Sequence, residues 1–84
     1  MEPGKVRLYI KPYCGWCLQA MEWLDARGVR YETLDVISDG RARSEMHALS
    51  GQTLAPVIQV DGEVLADFGA EELAVWWREQ GFGV

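Results

Sequence analysis

The sequence predicts an α/β fold: a four-stranded mixed sheet flanked by three helices, in the order β-α-β-α-β-β-α. Three observations carry that expectation. Short runs rich in β-branched and aromatic residues alternate with stretches whose apolar residues recur at helical spacing. Strand, helix and strand follow one another in the first half of the chain, which makes a βαβ unit with parallel strands and a right-handed crossover. Asp61-Gly62 stands between two short strand-like runs, the signature of a tight hairpin. At 84 residues the chain is expected to form one domain, residues 1–84, with a modest core that folds without staples.

Each element has its own signal. Val6 to Ile10 reads Val-Arg-Leu-Tyr-Ile and suits a buried central strand. Pro12 disfavours helix at Lys11, so residues 11–15 read as a loop. A helix begins at Cys14 or Gly15 and runs to Arg27, with Leu18, Met21 and Leu24 as its apolar face and Cys17 above them. Gly28 suits a left-handed end to that helix. Val29 to Val36 returns as a strand, with Val29, Tyr31, Thr33 and Asp35 alternating against Arg30, Glu32 and Leu34. Ser38 or Asp39 caps a second helix over Arg41 to Leu49, on which Ala42, Met46 and Leu49 form a stripe and which Gly51 ends. Pro56 to Val60 is the third strand; its proline, at the first position, loses no ladder bond. Glu63 to Ala66 pairs back across the turn. A last helix spans Ala70 to Gln80, with Glu71 and Glu72 complementing its N-terminal dipole and Leu73, Trp76 and Trp77 facing inward.

Composition excludes several function classes. Formal net charge is −5 and the eight basic residues are scattered, so no basic stripe exists for nucleic acid. No apolar run reaches membrane-spanning length, and the N-terminal residues show no signal-peptide core. The expectation is a cytoplasmic, monomeric protein with neither nucleic-acid nor membrane partner. Its two cysteines stand three positions apart. In a reducing compartment such a pair serves redox or metal chemistry more often than it staples a fold.

Cys14-Gly15-Trp16-Cys17 sits where a strand turns into a helix. Unpaired N–H groups at a helix start and the macrodipole favour negative charge there, so a thiolate at Cys14 is stabilised, and Lys11 adds a nearby cation. Cys14 is therefore the expected nucleophile. Cys17, one turn further in and toward the core, is the expected resolving thiol. Zinc is the competing use of such a pair, but a structural site needs about four N/S ligands, and beyond the two cysteines the chain offers only His47. His47 itself reads as a solvent-side helix residue. Trp76 and Trp77 read as core, Trp23 as partly exposed, and Glu71, Glu72 and Glu79 as a solvated face. Trp16 is expected to be exposed, as a substrate contact or as loop cover. Phe68 fits a groove lining and a core cap equally.

The segment Lys11-Pro12-Tyr13-Cys14-Gly15-Trp16-Cys17 resembles the active-site segment of glutaredoxins, where an x-P-Y-C-x-x-C run follows the first strand. The resemblance continues through Arg43-Ser44-Glu45-Met46, Ser50-Gly51-Gln52, Ala55-Pro56-Val57-Ile58 and Val60-Asp61-Gly62. It implies a thioredoxin-like (glutaredoxin-type) fold, a cis bond before Pro56 facing the cysteines, and a dithiol thiol–disulfide oxidoreductase that reduces protein disulfides or glutathione mixed disulfides. It also implies a groove for glutathione or peptide formed by Lys11, Tyr13, Trp16, Arg43, Leu54, Ala55, Pro56, Asp67 and Phe68. The backbone of Ala55 would pair with the bound thiol's chain, and Lys11 and Arg43 would meet a glutathione carboxylate. No metal or organic cofactor is expected, with glutathione as co-substrate and with glutathione or thioredoxin reductase as electron source. Two segments depart from the family pattern. Leu54-Ala55-Pro56 replaces Thr-Val-Pro, and Ala66-Asp67-Phe68-Gly69-Ala70 replaces the Gly-Gly turn that holds the γ-glutamyl end of glutathione. The departures place the chain between glutaredoxins and shorter glutaredoxin-like proteins reduced by thioredoxin reductase. Two alternatives follow from the resemblance: a [2Fe–2S] carrier, which the small Gly15 permits, and an electron donor to one partner enzyme such as ribonucleotide reductase.

Overall fold

The structure, a computed structural model, describes residues 3–83. Its elements are β1 (Val6–Ile10), α1 (Gly15–Ala26), β2 (Glu32–Asp35), α2 (Gly40–Ser50), β3 (Val57–Val60), β4 (Glu63–Ala66) and α3 (Ala70–Glu79). They form one sheet in the order β2-β1-β3-β4. β1 runs parallel to β2 and antiparallel to β3, and β3 pairs antiparallel with β4. The element order, the mixed sheet and the βαβ unit match the sequence expectation.

Alternation along the strands distributes side chains between two helical layers. Val6 and Leu8 of β1, with Ile58 and Val60 of β3, pack against Ala20, Leu24, Leu73, Trp76 and Trp77 of α1 and α3. On the other face, Tyr9, Val36 and Val57 pack against Ala42 and Met46 of α2. The turn between β3 and β4 places Asp61 at φ 49° and Gly62 at φ 93°, the double left-handed geometry for which such a pair is suited. Gly51 closes α2 at φ 73°. Of the two candidate caps for that helix, Asp39 is the one used: its carboxylate accepts from the N–H groups of Arg41 and Ala42.

Two expectations need correction. The buried face of α1 is Cys17, Ala20 and Leu24, whereas Leu18 is exposed and Met21 half-buried. The row Cys17, Ala20 and Leu24 turns inward, with Ala20 and Leu24 in the core shared with β1 and β3, and Leu18 is rotated out to solvent. β2 is also shorter than Val29 to Val36. Residues 29–31 continue from the end of α1, where the Val29 N–H bonds the Leu24 carbonyl. Ladder pairing with β1 starts only at Arg7 opposite Glu32. Val29 and Tyr31 therefore pack against the α1/α3 layer, while Leu34 packs against the α2 layer and Thr33 is exposed. Trp23 is half-buried, edge-on to Trp77 at 5.5 Å and stacked under the Arg27 guanidinium at 3.9 Å. His47 is exposed, as expected. Among the described residues no helix is long and apolar enough to cross a membrane.

Candidate active site

The loops after β1 and β4 and before β3 converge at one end of the sheet, because β1 ends there while the antiparallel β3 begins there. This topology brings Cys14, Ala55 and Asp67 together although they are far apart in sequence. Cys14 is the residue before α1, in extended conformation, and its sulfur caps the helix by accepting the Cys17 N–H at 3.2 Å. That bond satisfies one of the N–H donors left unpaired at a helix start. Tyr13, just before it, is held at φ 61° with its side chain fully exposed. The Cys14 thiol lies 4.0 Å from the Ala55 carbonyl oxygen. The Ala55–Pro56 peptide bond is cis, as the family resemblance implied.

The two sulfurs occupy different environments. Both are free thiols; Cys14 is partly exposed and Cys17 is buried, at 2% exposure. Burial pushes the Cys17 thiol up to about 12. The adjacent Cys14 sulfur adds to that rise, while the Lys11 backbone and ammonium oppose it. At neutral pH Cys17 is thus held protonated behind an accessible Cys14.

The turn from β4 into α3 meets this end of the sheet through Pro56 and Trp16. The Asp67 N–H bonds the Pro56 carbonyl at 3.0 Å, with Asp67 at φ 53°. Phe68 is buried in the α1/α3 core yet also lines a groove of about 360 Å³ with Trp16, Asp67, Gly69 and Glu72. Both readings of Phe68 therefore hold at once. Trp16 is exposed on one side and lies against Gly69 on the other, where an added Cβ would come within 2.9 Å of the indole. Glu72 accepts the Gly69 N–H at 2.7 Å and so holds the start of α3.

Tyr13 and Trp16 adjoin the cysteines along the chain, Ala55 approaches Cys14, Asp67 bonds Pro56 beside it, and Phe68 shares a groove with Trp16 and Asp67. Leu54 is exposed on the segment leading into the cis bond, where its N–H bonds the Gln52 side-chain oxygen. Lys11 is half-buried beside Cys17. Arg43 is not brought to the cysteines by any contact among the described residues. It is exposed on α2, which packs on the sheet face away from α1. Sequence reading missed Gly69 and Glu72 as parts of the site. The signal was present: a glutamate three residues after a helix-entry position is half of a capping box. No group of three or more His, Cys, Asp or Glu placed to hold a metal ion occurs among the described residues.

Comparison with known proteins agrees with this geometry. The glutaredoxin family model matches residues 6–65. The chain is 32% identical over 68 residues to the glutaredoxin-like 8.6 kDa protein of the rubredoxin operon of Clostridium pasteurianum, covering 81% of this chain and 91% of that one. It is 33% identical over 60 residues to glutaredoxin 3 of Escherichia coli, covering 71% and 72%. Its fold is similar to the crystal structure of the thioredoxin-like protein BC3987, with a TM-score of 0.77 and 34% identity over 84% of this chain and 97% of that one. A family match across most of the chain, on a fold of this type with a C-x-x-C at the head of its first helix, makes this protein a member of the glutaredoxin family of thiol–disulfide oxidoreductases.

Proposed function

We propose that the protein reduces disulfides by a dithiol mechanism in which Cys14 attacks and Cys17 resolves. The observation that carries this reading is the asymmetry of the pair: a partly exposed sulfur accepting a helix N-terminal N–H at 3.2 Å, backed by a buried thiol. The Cys14 thiolate attacks one sulfur of the substrate, forming a mixed disulfide and expelling the first substrate thiolate. The negative sulfur that helped keep Cys17 protonated is then part of a neutral disulfide, while the opposing influence of Lys11 persists. Cys17 therefore becomes easier to ionise once it is needed. It attacks Cys14, releases the second substrate thiol and hands its proton to that leaving sulfur. The Ala55 carbonyl, 4.0 Å from the Cys14 sulfur, is positioned to accept a backbone N–H of the incoming chain.

The reading requires no metal or organic cofactor. Glutathione or a thioredoxin reductase restores the dithiol. The test is turnover of a disulfide-bonded protein by wild type, Cys14→Ser and Cys17→Ser, with each electron source supplied in parallel. Cys14→Ser should lose all thiol transfer. Cys17→Ser should accumulate a mixed disulfide with the protein substrate, visible as a mass increase, while retaining turnover of glutathione mixed disulfides, which an external thiol completes. Equal activity in both variants would remove Cys14 as nucleophile. Visible absorbance in anaerobically purified protein would favour the iron–sulfur carrier instead.

A further inference from the structure

We propose that the hollow between the ends of α1 and α3 binds an aromatic carboxylate. Arg27 and Arg78 hold the carboxylate, and Trp23, Trp77 and Phe82 hold the ring. The site lies away from the redox pair. Cys14 stands at the start of α1 and Arg27 at its other end, after 12 helical residues, about 18 Å of helix. The hollow measures about 210 Å³ and is lined by those five residues and Ala74. No Asp or Glu lines it, although the chain has 13 acidic residues against eight basic ones. A second hollow, of about 400 Å³, adjoins it at Arg27, adds Arg30 and also lacks a carboxylate.

Two observations point to a flat anion. The first is the donor set. Among the described residues both ion pairs belong to Arg7, so Arg27 and Arg78 have no carboxylate partner there. The Arg27 guanidinium lies over the Trp23 ring at 3.9 Å. Stacking uses the face of the guanidinium and leaves its in-plane N–H groups, the fork that matches a carboxylate. Helix ends account for part of this placement. Arg78 stands in the last turn of α3 and Arg27 ends α1, where a cation complements the dipole. They do not account for the second observation. Trp77 is buried, at 3% exposure, and its indole Nε1–H has no hydrogen-bond partner among the described residues. A buried donor left unpaired is costly. A carboxylate oxygen brought into the hollow that Trp77 lines supplies the acceptor. The rings set the rest of the ligand. Trp77 meets Trp23 edge-on at 5.5 Å and Phe82 at 5.1 Å, an arrangement of faces and edges that suits another ring. The volume of about 210 Å³ falls below the range of about 300–1,000 Å³ for drug-sized ligands, which limits the guest to one ring and a short acid arm. The carboxylate belongs to a free acid or to the C-terminal residue of a peptide; both present the same chemistry.

The test titrates the full chain, labelled with ¹⁵N, with phenylacetate and follows the indole N–H signals by NMR after triple-resonance assignment. The Trp77 signal should move downfield and saturate, while that of Trp16, within the C-x-x-C, stays in place. Phenylacetamide and acetate should each bind about tenfold more weakly than phenylacetate. Arg27→Gln and Arg78→Gln, both at exposed positions, should each weaken phenylacetate about tenfold and leave disulfide reduction unchanged. The peptide acetyl-Gly-Gly-Phe, with a free C-terminal carboxylate, separates the two sources. Tighter binding than phenylacetate assigns the site to a chain terminus, and weaker binding assigns it to a free acid. No saturable change at Trp77 with either acid would overturn the site and leave the dithiol reading intact. Equal binding of phenylacetate and phenylacetamide would overturn carboxylate recognition. Unchanged affinity in both arginine variants would overturn the assignment to Arg27 and Arg78.

Discussion

The two faces of the sheet are built differently. The α1/α3 face carries the aromatic mass: Trp76 and Trp77 meet edge-on at 6.4 Å, and Phe82 packs against both at 5.5 and 5.1 Å. The α2 face is thinner, with Tyr9, Val36, Ala42, Met46 and Val57 at its core. It is edged by a polar network in which Glu45 accepts from Arg7 at 3.2 Å and from the Tyr9 hydroxyl at 3.4 Å. The difference follows the function. The cysteines are held at the start of α1, whose Ala20 and Leu24 pack in the aromatic layer. Packing of α1 on this layer sets where its N-terminal Cys14 sits. The α2 layer covers the remaining face of the sheet.

Truncation in each layer tests this comparison most severely. Trp77→Ala should cost about 4 kcal/mol in chemical denaturation, because it removes a buried ring touching Trp23, Trp76 and Phe82. Met46→Ala should cost about 2–3 kcal/mol and leave the single-turnover rate unchanged. If Met46→Ala slowed disulfide reduction more than Trp77→Ala under folding conditions, the α1/α3 layer would not be the platform of the site.

The next effect is alkaline. Cys17 is raised to about 12, so the folded protein holds that proton more tightly than the unfolded chain. Its contribution to stability is complete below the ordinary thiol range and is lost as pH climbs toward 12. Tyr31, also pushed up to about 12 by burial and by its hydrogen bond to Asp25, behaves in the same sense. Tyr9 on the α2 face is shifted in the same direction, chiefly by burial. The disulfide form has no Cys17 proton to lose. Denaturation midpoints of the reduced protein should therefore fall more steeply with alkaline pH than those of the oxidised protein. Parallel profiles would place Cys17 in a wetter setting than its burial indicates.

The smallest effect sharpens the other side of the comparison. Glu45→Gln should cost about 1 kcal/mol or less, since its partners sit at the edge of the α2 layer, and should not change the rate of disulfide reduction. A rate change here would couple the α2 face to the cysteines.

Much of this could be read along the chain because it is local. The capping aspartate, the Asp61-Gly62 turn, the glycine that closes α2 and the cysteine pair at a helix start all depend on neighbours within a few residues. The reading failed where a distant partner decided. Leu18 fits helical spacing as well as Ala20 does, yet the sheet meets the row that contains Ala20. The second strand begins only where β1 offers ladder partners. The Gly69–Trp16 contact spans more than half the chain, and no periodicity signals it.

The sequence by itself determined the element order, the position of the redox pair and the charge balance, since propensity, capping and composition act within short windows. Tertiary structure alone decided which row of α1 faces the sheet, and that Trp16, Asp67, Phe68 and Glu72 line one groove. The physical reason is that burial and groove shape arise from the antiparallel return of β3 and β4. That return sets the turn into α3 against the start of α1, and packing between segments distant in sequence is fixed by the assembled sheet.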